Sequence, residues 1–358
     1  MIPIFKPILP TATQLLPHLS SMDKSRIYSN FGPLNSILVD RISNHFNVDP
    51  DCVTTINNAT SGITLALLAL NSNKKYCLLP SWTFSATAHA VVSAGLTPFL
   101  LDVDPQTNQL NPENVLSTIA LLEGDVAAII PVQPFGSPID NVTWLELSKA
   151  TRIPIIIDSA AAFDTIVPSE LISVVSMHST KLLPAGEGGF VISTNKKIIA
   201  EIKQRSNFGF SDSRISNVFG LNAKMSEYHA AVGLSSLDNF YSTRKNYLNI
   251  ANAYSEKIDS KVAIMQKDFG VSWISTSLTI ELLKNTAHYC AKHLNSNGID
   301  TRMWYSEGLH KQKAFIDIPR QKNLEVTDYL GRMTIGIPFF QDLDHESIEI
   351  ISILINNQ

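Results

Sequence analysis

Short, mostly apolar runs alternate with longer amphipathic ones through the first two-thirds of the chain. The apolar runs are Cys52–Asn57, Tyr76–Leu79, Thr97–Val103, Val126–Val132, Ile153–Ile157, Ile172–Met177 and Gly189–Ser193. Strands covered on both faces read this way, because neither side has to alternate toward water. Between them, Ser61–Leu70, Ser85–Ala94, Pro112–Leu122 and Trp144–Ala150 have the length and composition of helices. Strands alternating with helices predict an open, mainly parallel α/β sheet. Ligands of such sheets bind outside the carboxyl ends of the strands.

From about Asn239 the pattern changes. A long helical stretch, Ser242–Ile258, precedes the shorter segments Trp273–Leu282, Ala287–Ser296, Arg332–Ile337 and His345–Ile355. The expected organisation is a large ligand-binding domain over residues 1–238 and a smaller α+β domain over residues 239–358. Asn and Ser are frequent in the connections, which predicts turns.

Composition narrows the field without choosing within it. The 358 residues are 44% hydrophobic and 17% charged, an ordinary globular balance. A formal net charge of −4 leaves no basic footprint for nucleic acid. The three cysteines, Cys52, Cys77 and Cys290, have neither metal-site nor disulfide spacing. The start, Met1-Ile2-Pro3-Ile4-Phe5-Lys6-Pro7, lacks the pattern of a signal peptide, and no apolar run approaches a membrane span. The expected location is the cytoplasm.

Candidate chemistry gathers at predicted strand ends. Asn58-Ala59-Thr60-Ser61-Gly62 opens the first helix, with Thr60 as the expected N-cap. Thr60 and Ser61 add hydroxyls to a helix start that favours anions, although an ordinary capped helix would look the same. Pro80-Ser81-Trp82-Thr83-Phe84 places aromatics after the second strand, suited to stacking on a flat ring or to core packing. Asp158 ends an apolar strand, where a buried carboxylate needs a cationic or hydrogen-bonding partner. Lys181 ends Ser176-Met177-His178-Ser179-Thr180-Lys181, and Gly186-Glu187-Gly188-Gly189 follows, marking tight backbone packing. Ser176 is placed to contact a phosphate and His178 to face a substrate. An amine near a carboxylate at strand ends is what pyridoxal 5′-phosphate (PLP) requires: the amine forms a Schiff base, and the carboxylate keeps the pyridine nitrogen protonated.

The order of these motifs resembles the DegT/DnrJ/EryC1/StrS family of PLP-dependent sugar aminotransferases over nearly the whole chain. The resemblance implies the type I aminotransferase fold. It matches Asn58–Gly62 to a phosphate turn, Phe84 to a residue stacking on the cofactor, Asp158 to the pyridinium partner, Lys181 to the Schiff-base lysine and Ser176 to a phosphate ligand. Asp102-Val103-Asp104-Pro105 and Val132-Gln133-Pro134-Phe135-Gly136 match two further loops. Gly220-Leu221-Asn222-Ala223-Lys224-Met225-Ser226-Glu227 matches a segment that reaches into the neighbouring subunit's site, where Asn222 approaches the phosphate. The implied protein is a homodimer with shared sites, passing an amino group from L-glutamate to a nucleotide-linked keto-sugar for deoxyamino sugars of surface polysaccharides such as O-antigen.

Three departures stand out. Ala161 replaces a Gln that bonds the ring hydroxyl, Gln133 a common His, and Lys224 a common Arg. Two other activities share the fold: sugar dehydratases, whose relatives carry His at the lysine position, and a non-catalytic cofactor-binding regulator, which the loss at Ala161 would suit.

Overall fold

The computed structural model describes residues 1–211 and 213–358. Two helices that the apolar pattern does not announce come first, α1 (Ala12–Ser25) and α2 (Pro33–His45). α1 starts on a capping box between Thr11 and Gln14, which satisfies backbone donors at both positions. α2 is capped from far along the chain: the buried Glu227 carboxylate accepts from Leu34 N at 2.7 Å and Asn35 N at 2.8 Å. An anion there also suits the positive end of the helix dipole.

The main sheet follows the predicted alternation. Its strands are β1 (Val53–Ile56), β2 (Tyr76–Pro80), β3 (Thr97–Leu101), β4 (Val126–Ile129), β5 (Ile156–Asp158), β6 (Ile172–Ser176) and β7 (Gly189–Ile192). The connecting helices are α3 (Ala59–Ala69), α4 (Ser85–Ser93), α5 (Pro112–Leu121) and α6 (Asn141–Thr151). One set pairs in the order β3-β2-β4 and the other β1-β7-β6-β5. Parallel bridges Ile129–Ile155 and Val132–Asp158 join them into one surface. β7 runs antiparallel to both its neighbours, and the other paired strands are parallel.

Both faces are covered, which explains the apolar runs. Val174 and Val191 face α3 and α7 (Lys196–Arg205), beside Ile63, Ile199 and Ile202. Their neighbours Val175 and Phe190 face α1, α2 and α8 (Glu227–Asp238), beside Met22, Leu38 and Leu234. This second layer continues through α9 (Phe240–Lys257) into a three-stranded antiparallel sheet. That sheet is ordered β10-β9-β8 from β8 (Ala263–Met265), β9 (Leu278–Leu282) and β10 (Thr334–Ile337). α10 (Ala287–Ser296), α11 (Glu325–Met333) and α12 (His345–Asn356) complete this part.

Two of the segments marked in the sequence divide between a strand and what precedes it. Trp273–Ser277 precedes β9 as a loop, and Arg332 and Met333 close α11 rather than open a strand. The segment after α10 returns to the main sheet: Gln321 N donates to Leu100 O and Leu100 N to Pro319 O. Asp102 anchors it, accepting from Val326 N, Thr327 N and Thr327 Oγ1. All three cysteines are buried. Among the described residues, no helix is long and apolar enough to cross a membrane.

Candidate active site

The turn after β1 is capped by Asn58, not by Thr60. Asn58 has extended backbone angles and its Oδ1 accepts from Ser61 N at 2.8 Å, so the helix begins at Ala59 and Thr60 already lies in its first turn. The N–H groups of Ala59 and Thr60 occupy helix positions with no intrahelical acceptor. Thr60 and Ser61 flank them, both half-buried. Gly62 lets the turn sit down on the sheet: a β-carbon there would clash with Ile56 Cδ1 and lie 2.8 Å from Val174 Cγ1. One at Gly189 would be 3.3 Å from Ala59 N, and Gly189 is the register partner of Ser176. Ser176, the last residue of β6, is thereby brought next to the start of α3. Together they form a cradle of backbone donors and hydroxyls shaped for an anion.

Asp158 closes β5 and is 6% exposed. Its Oδ2 accepts from Thr87 Oγ1 at 2.7 Å and its Oδ1 from Ala160 N at 3.1 Å. Burial pushes its carboxyl above the usual value, while Thr87, Ala160 and the charge of Lys181 pull it back. Lys181 lies in the turn beyond β6, with its N–H donating to His178 O. Part of its surface is open, as suits a residue lining a cavity, but its amine is enclosed. Burial pushes the ammonium below its usual value, and the Asp158 charge opposes this. Each group's charge partly offsets the cost of burying the other, and burial remains the larger effect on both. The arrangement joins a weakly protonated amine, able to attack a carbonyl, to a carboxylate able to hold a ring N–H.

Phe84 caps α4 at the end of β2 and is 57% exposed. Its carbonyl lies 3.2 Å from Thr87 Oγ1, the same hydroxyl that bonds Asp158. His178 turns back into its own loop: Nδ1 is 3.0 Å from Thr180 Oγ1, and Nε2 is 3.6 Å from Glu187 Oε1. Asn222 is exposed, and its Oδ1 accepts from Lys224 Nζ at 2.7 Å. Lys224 Nζ also lies 4.5 Å from the centre of the Phe208 ring. Asn222 therefore stands on a surface loop, apart from the enclosed amine and carboxylate.

Each departure has a structural counterpart. Ala161 has no side-chain donor, and its carbonyl accepts from Ser275 Oγ at 3.3 Å. Gln133 is spent on the loop scaffold. Its Nε2 donates to Ser137 O and Thr165 Oγ1, and its Oε1 accepts from Ser159 Oγ. Residues that the motifs did not single out complete the surroundings. They are Thr87, Tyr305, whose ring stacks 4.4 Å from that of Phe135, and Thr276, whose hydroxyl donates to Thr180 O at 2.6 Å. Thr87 could have been found from its place three residues beyond Phe84. Tyr305 and Thr276 lie over ninety residues from the motifs they support and carry no local signal.

A buried lysine–aspartate pair at the carboxyl ends of a mainly parallel sheet, with an anion cradle alongside, defines a PLP-dependent enzyme of the aminotransferase fold. The chain belongs to the DegT/DnrJ/EryC1/StrS aminotransferase family, whose profile matches residues 12–355. It is 29% identical over 264 residues to the dTDP-4-amino-4,6-dideoxy-D-glucose transaminase of Shigella dysenteriae, covering 72% of this chain and 70% of that one. A solved protein of Bacillus cereus ATCC 10987, described as a PLP-dependent aminotransferase, superposes over the full length of both chains with a TM-score of 0.92 and 28% identity. DesI, solved in the presence of its TDP-sugar product, superposes with a TM-score of 0.90 and 26% identity over all of this chain and 93% of its own. The family is PLP-dependent. This sets aside the non-catalytic alternative, and Lys181 itself stands against the dehydratase.

Proposed function

We propose that this protein transfers the amino group of L-glutamate to a keto-sugar carried on a nucleotide. The carrying observation is the desolvated Lys181 amine facing the buried Asp158 carboxylate, in a chain of the sugar aminotransferase family. The nucleotide carrier is supported by the names of relatives, a dTDP-sugar transaminase and a protein with a TDP-sugar product.

The residues present fit PLP. Asp158 is a buried carboxylate with room on each oxygen for another donor, as a protonated ring nitrogen would be. Lys181 is the amine, Phe84 the face for the ring, and Thr60, Ser61 and Ser176 the phosphate ligands, with Asn222 of the partner subunit closing the cradle. When bound, PLP supplies an electrophilic carbon and a ring that draws electrons from it. The Lys181 amine, whose cation burial disfavours, would hold the group at that carbon. The same amine, when free, would take up and return a proton of the bound amino donor. Asp158 holds the ring nitrogen protonated throughout, so negative charge developing in the reaction meets a fixed positive site. His178, whose ring nitrogens lie near Thr180 and Glu187 in the loop that carries Lys181, is the residue proposed to meet the sugar.

The protein works as a cytoplasmic homodimer with residues 1–238 holding the cofactor and residues 239–358 forming the smaller unit. Its product feeds deoxyamino sugars of a surface polysaccharide such as O-antigen. The test is a panel of nucleotide-linked keto-sugars with L-glutamate, read by mass spectrometry of the products. An aminated sugar nucleotide with matching 2-oxoglutarate is the expected outcome. No amination across the panel, by a protein that binds PLP, contradicts the proposal.

A further inference from the structure

Two buried hydroxyls lead to the carboxylate of Asp158. Thr87 Oγ1 lies 2.7 Å from Asp158 Oδ2 and 2.9 Å from Thr83 Oγ1. Thr87 is 0% exposed and Thr83 1%, so water has little room to substitute for either. A hydroxyl has one proton to donate. When Thr87 donates to an ionised Asp158, Thr83 must donate to Thr87, and the bonds all point toward the carboxylate. Thr87 also has a second acceptor, the Phe84 carbonyl at 3.2 Å. When Asp158 carries a proton, its O–H donates to Thr87, and the Thr87 proton turns to Phe84. The relay satisfies both charge states and favours the ionised one, because hydrogen bonds to a charged acceptor are the stronger.

Among the described residues, no neighbouring side chain duplicates this role. Gln133 reaches the Asp158 carbonyl with its backbone N–H, while its side chain is engaged by Ser137, Thr165 and Ser159. The bond from Ala160 to Oδ1 is local to the turn. The titratable groups facing Asp158 are the Lys181 amine, from the turn after β6, and the Tyr305 phenol, which burial keeps neutral.

We infer that Thr87, backed by Thr83, is a positioning residue for the reaction: its hydroxyl fixes the charge and direction of the Asp158 carboxylate toward the cofactor's ring nitrogen, and ties that carboxylate to the segment bearing Phe84. The inference rests on the cofactor reading proposed above.

The test titrates PLP into apoprotein from wild type and from T87V, T87S and T83V, across a range of pH. Quenching of tryptophan fluorescence reads affinity, and the visible band of the bound cofactor is followed alongside. T87V keeps the shape but removes the donor. It is expected to weaken PLP binding about tenfold or more. Affinity should also fall off at a higher pH than in wild type as the solution is acidified, because the Asp158 carboxyl is no longer held ionised. T87S should restore both, which a purely space-filling role would not predict. T83V keeps the direct bond and should shift the profile in the same direction by a smaller amount. Wild-type affinity and an unshifted profile in T87V overturn the inference. If T87V does not fold, an unshifted T83V overturns it instead. A wild-type protein that binds no PLP overturns the cofactor reading itself.

Discussion

Asp158 and Lys181 meet at strand ends buried on both sides, whereas Asn222 sits on a loop whose apolar side chains face outward. Phe219 on that loop is 90% exposed and Ile215 67% exposed. Both regions are proposed to hold one cofactor. The buried pair lies within a single chain, with each carboxylate oxygen of Asp158 bonded and the two charges partly offsetting one another's burial. Outward-facing apolar side chains are what a segment completed by a second copy, as proposed above, would present. The difference teaches where each kind of substitution should act: chemistry at the strand ends, and assembly with phosphate affinity at the loop.

The largest effect should come from Lys181→Ala. Removing the amine takes away nucleophile and base together, so turnover should fall by on the order of 10⁴-fold while the fold survives, as read by steady-state kinetics and circular dichroism. Asp158→Asn should come next, at on the order of 10²-fold in kcat, since a neutral amide holds no positive charge on the ring. That pair also sets a pH dependence. The Asp158 carboxyl is raised in the folded protein above its usual value of 3.8. Its contribution to stability is therefore fully present below about pH 4 and lost as pH rises through the folded value. Apoprotein melting curves should show wild type losing stability relative to Asp158→Asn as pH increases, and Lys181→Ala, which lacks the facing cation, should steepen that loss.

Asn222→Ala tests the other half of the comparison. It should weaken PLP binding by about tenfold with little change in the buried pair, measured by fluorescence titration at fixed pH. An unchanged affinity would separate this loop from the cofactor. Gly62→Ala should act through packing alone. The added methyl meets Ile56 and Val174 and should cost about 1–3 kcal/mol, read as a lowered melting temperature.

The sheet was legible because its strands are buried on both faces: Ile172–Ser176 and Gly189–Ile192 contain little but apolar and small residues. Helices α1 and α2 were not. α1 carries Pro17 and has one fully buried residue, Met22, while α2 owes its start to Glu227, nearly two hundred residues away. At the site, Asp158 and Lys181 stood out because charged residues at the ends of apolar strands are costly without a purpose. The sequence alone does not separate Asn58 from Thr60 as the cap, because Asn, Thr and Ser stand almost side by side and each can cap. His178 was marked by its chemistry, but its ring nitrogens approach Thr180 and Glu187, a local geometry that residue type cannot foretell. Tyr305 reaches the site through the return of the segment after α10 and Thr276 through the loop before β9, and neither stretch has a periodic signature.

The amine at Lys181 is the centre of the account, and one half-reaction tests it most directly. Purified wild-type protein loaded with PLP is mixed with L-glutamate alone, and the visible cofactor band and released 2-oxoglutarate are followed together. The band should be lost with about one equivalent of 2-oxoglutarate per site, and Lys181→Ala should give neither at a comparable rate. A wild-type protein whose band is unchanged by L-glutamate, or a Lys181→Ala variant that matches it, would contradict the account.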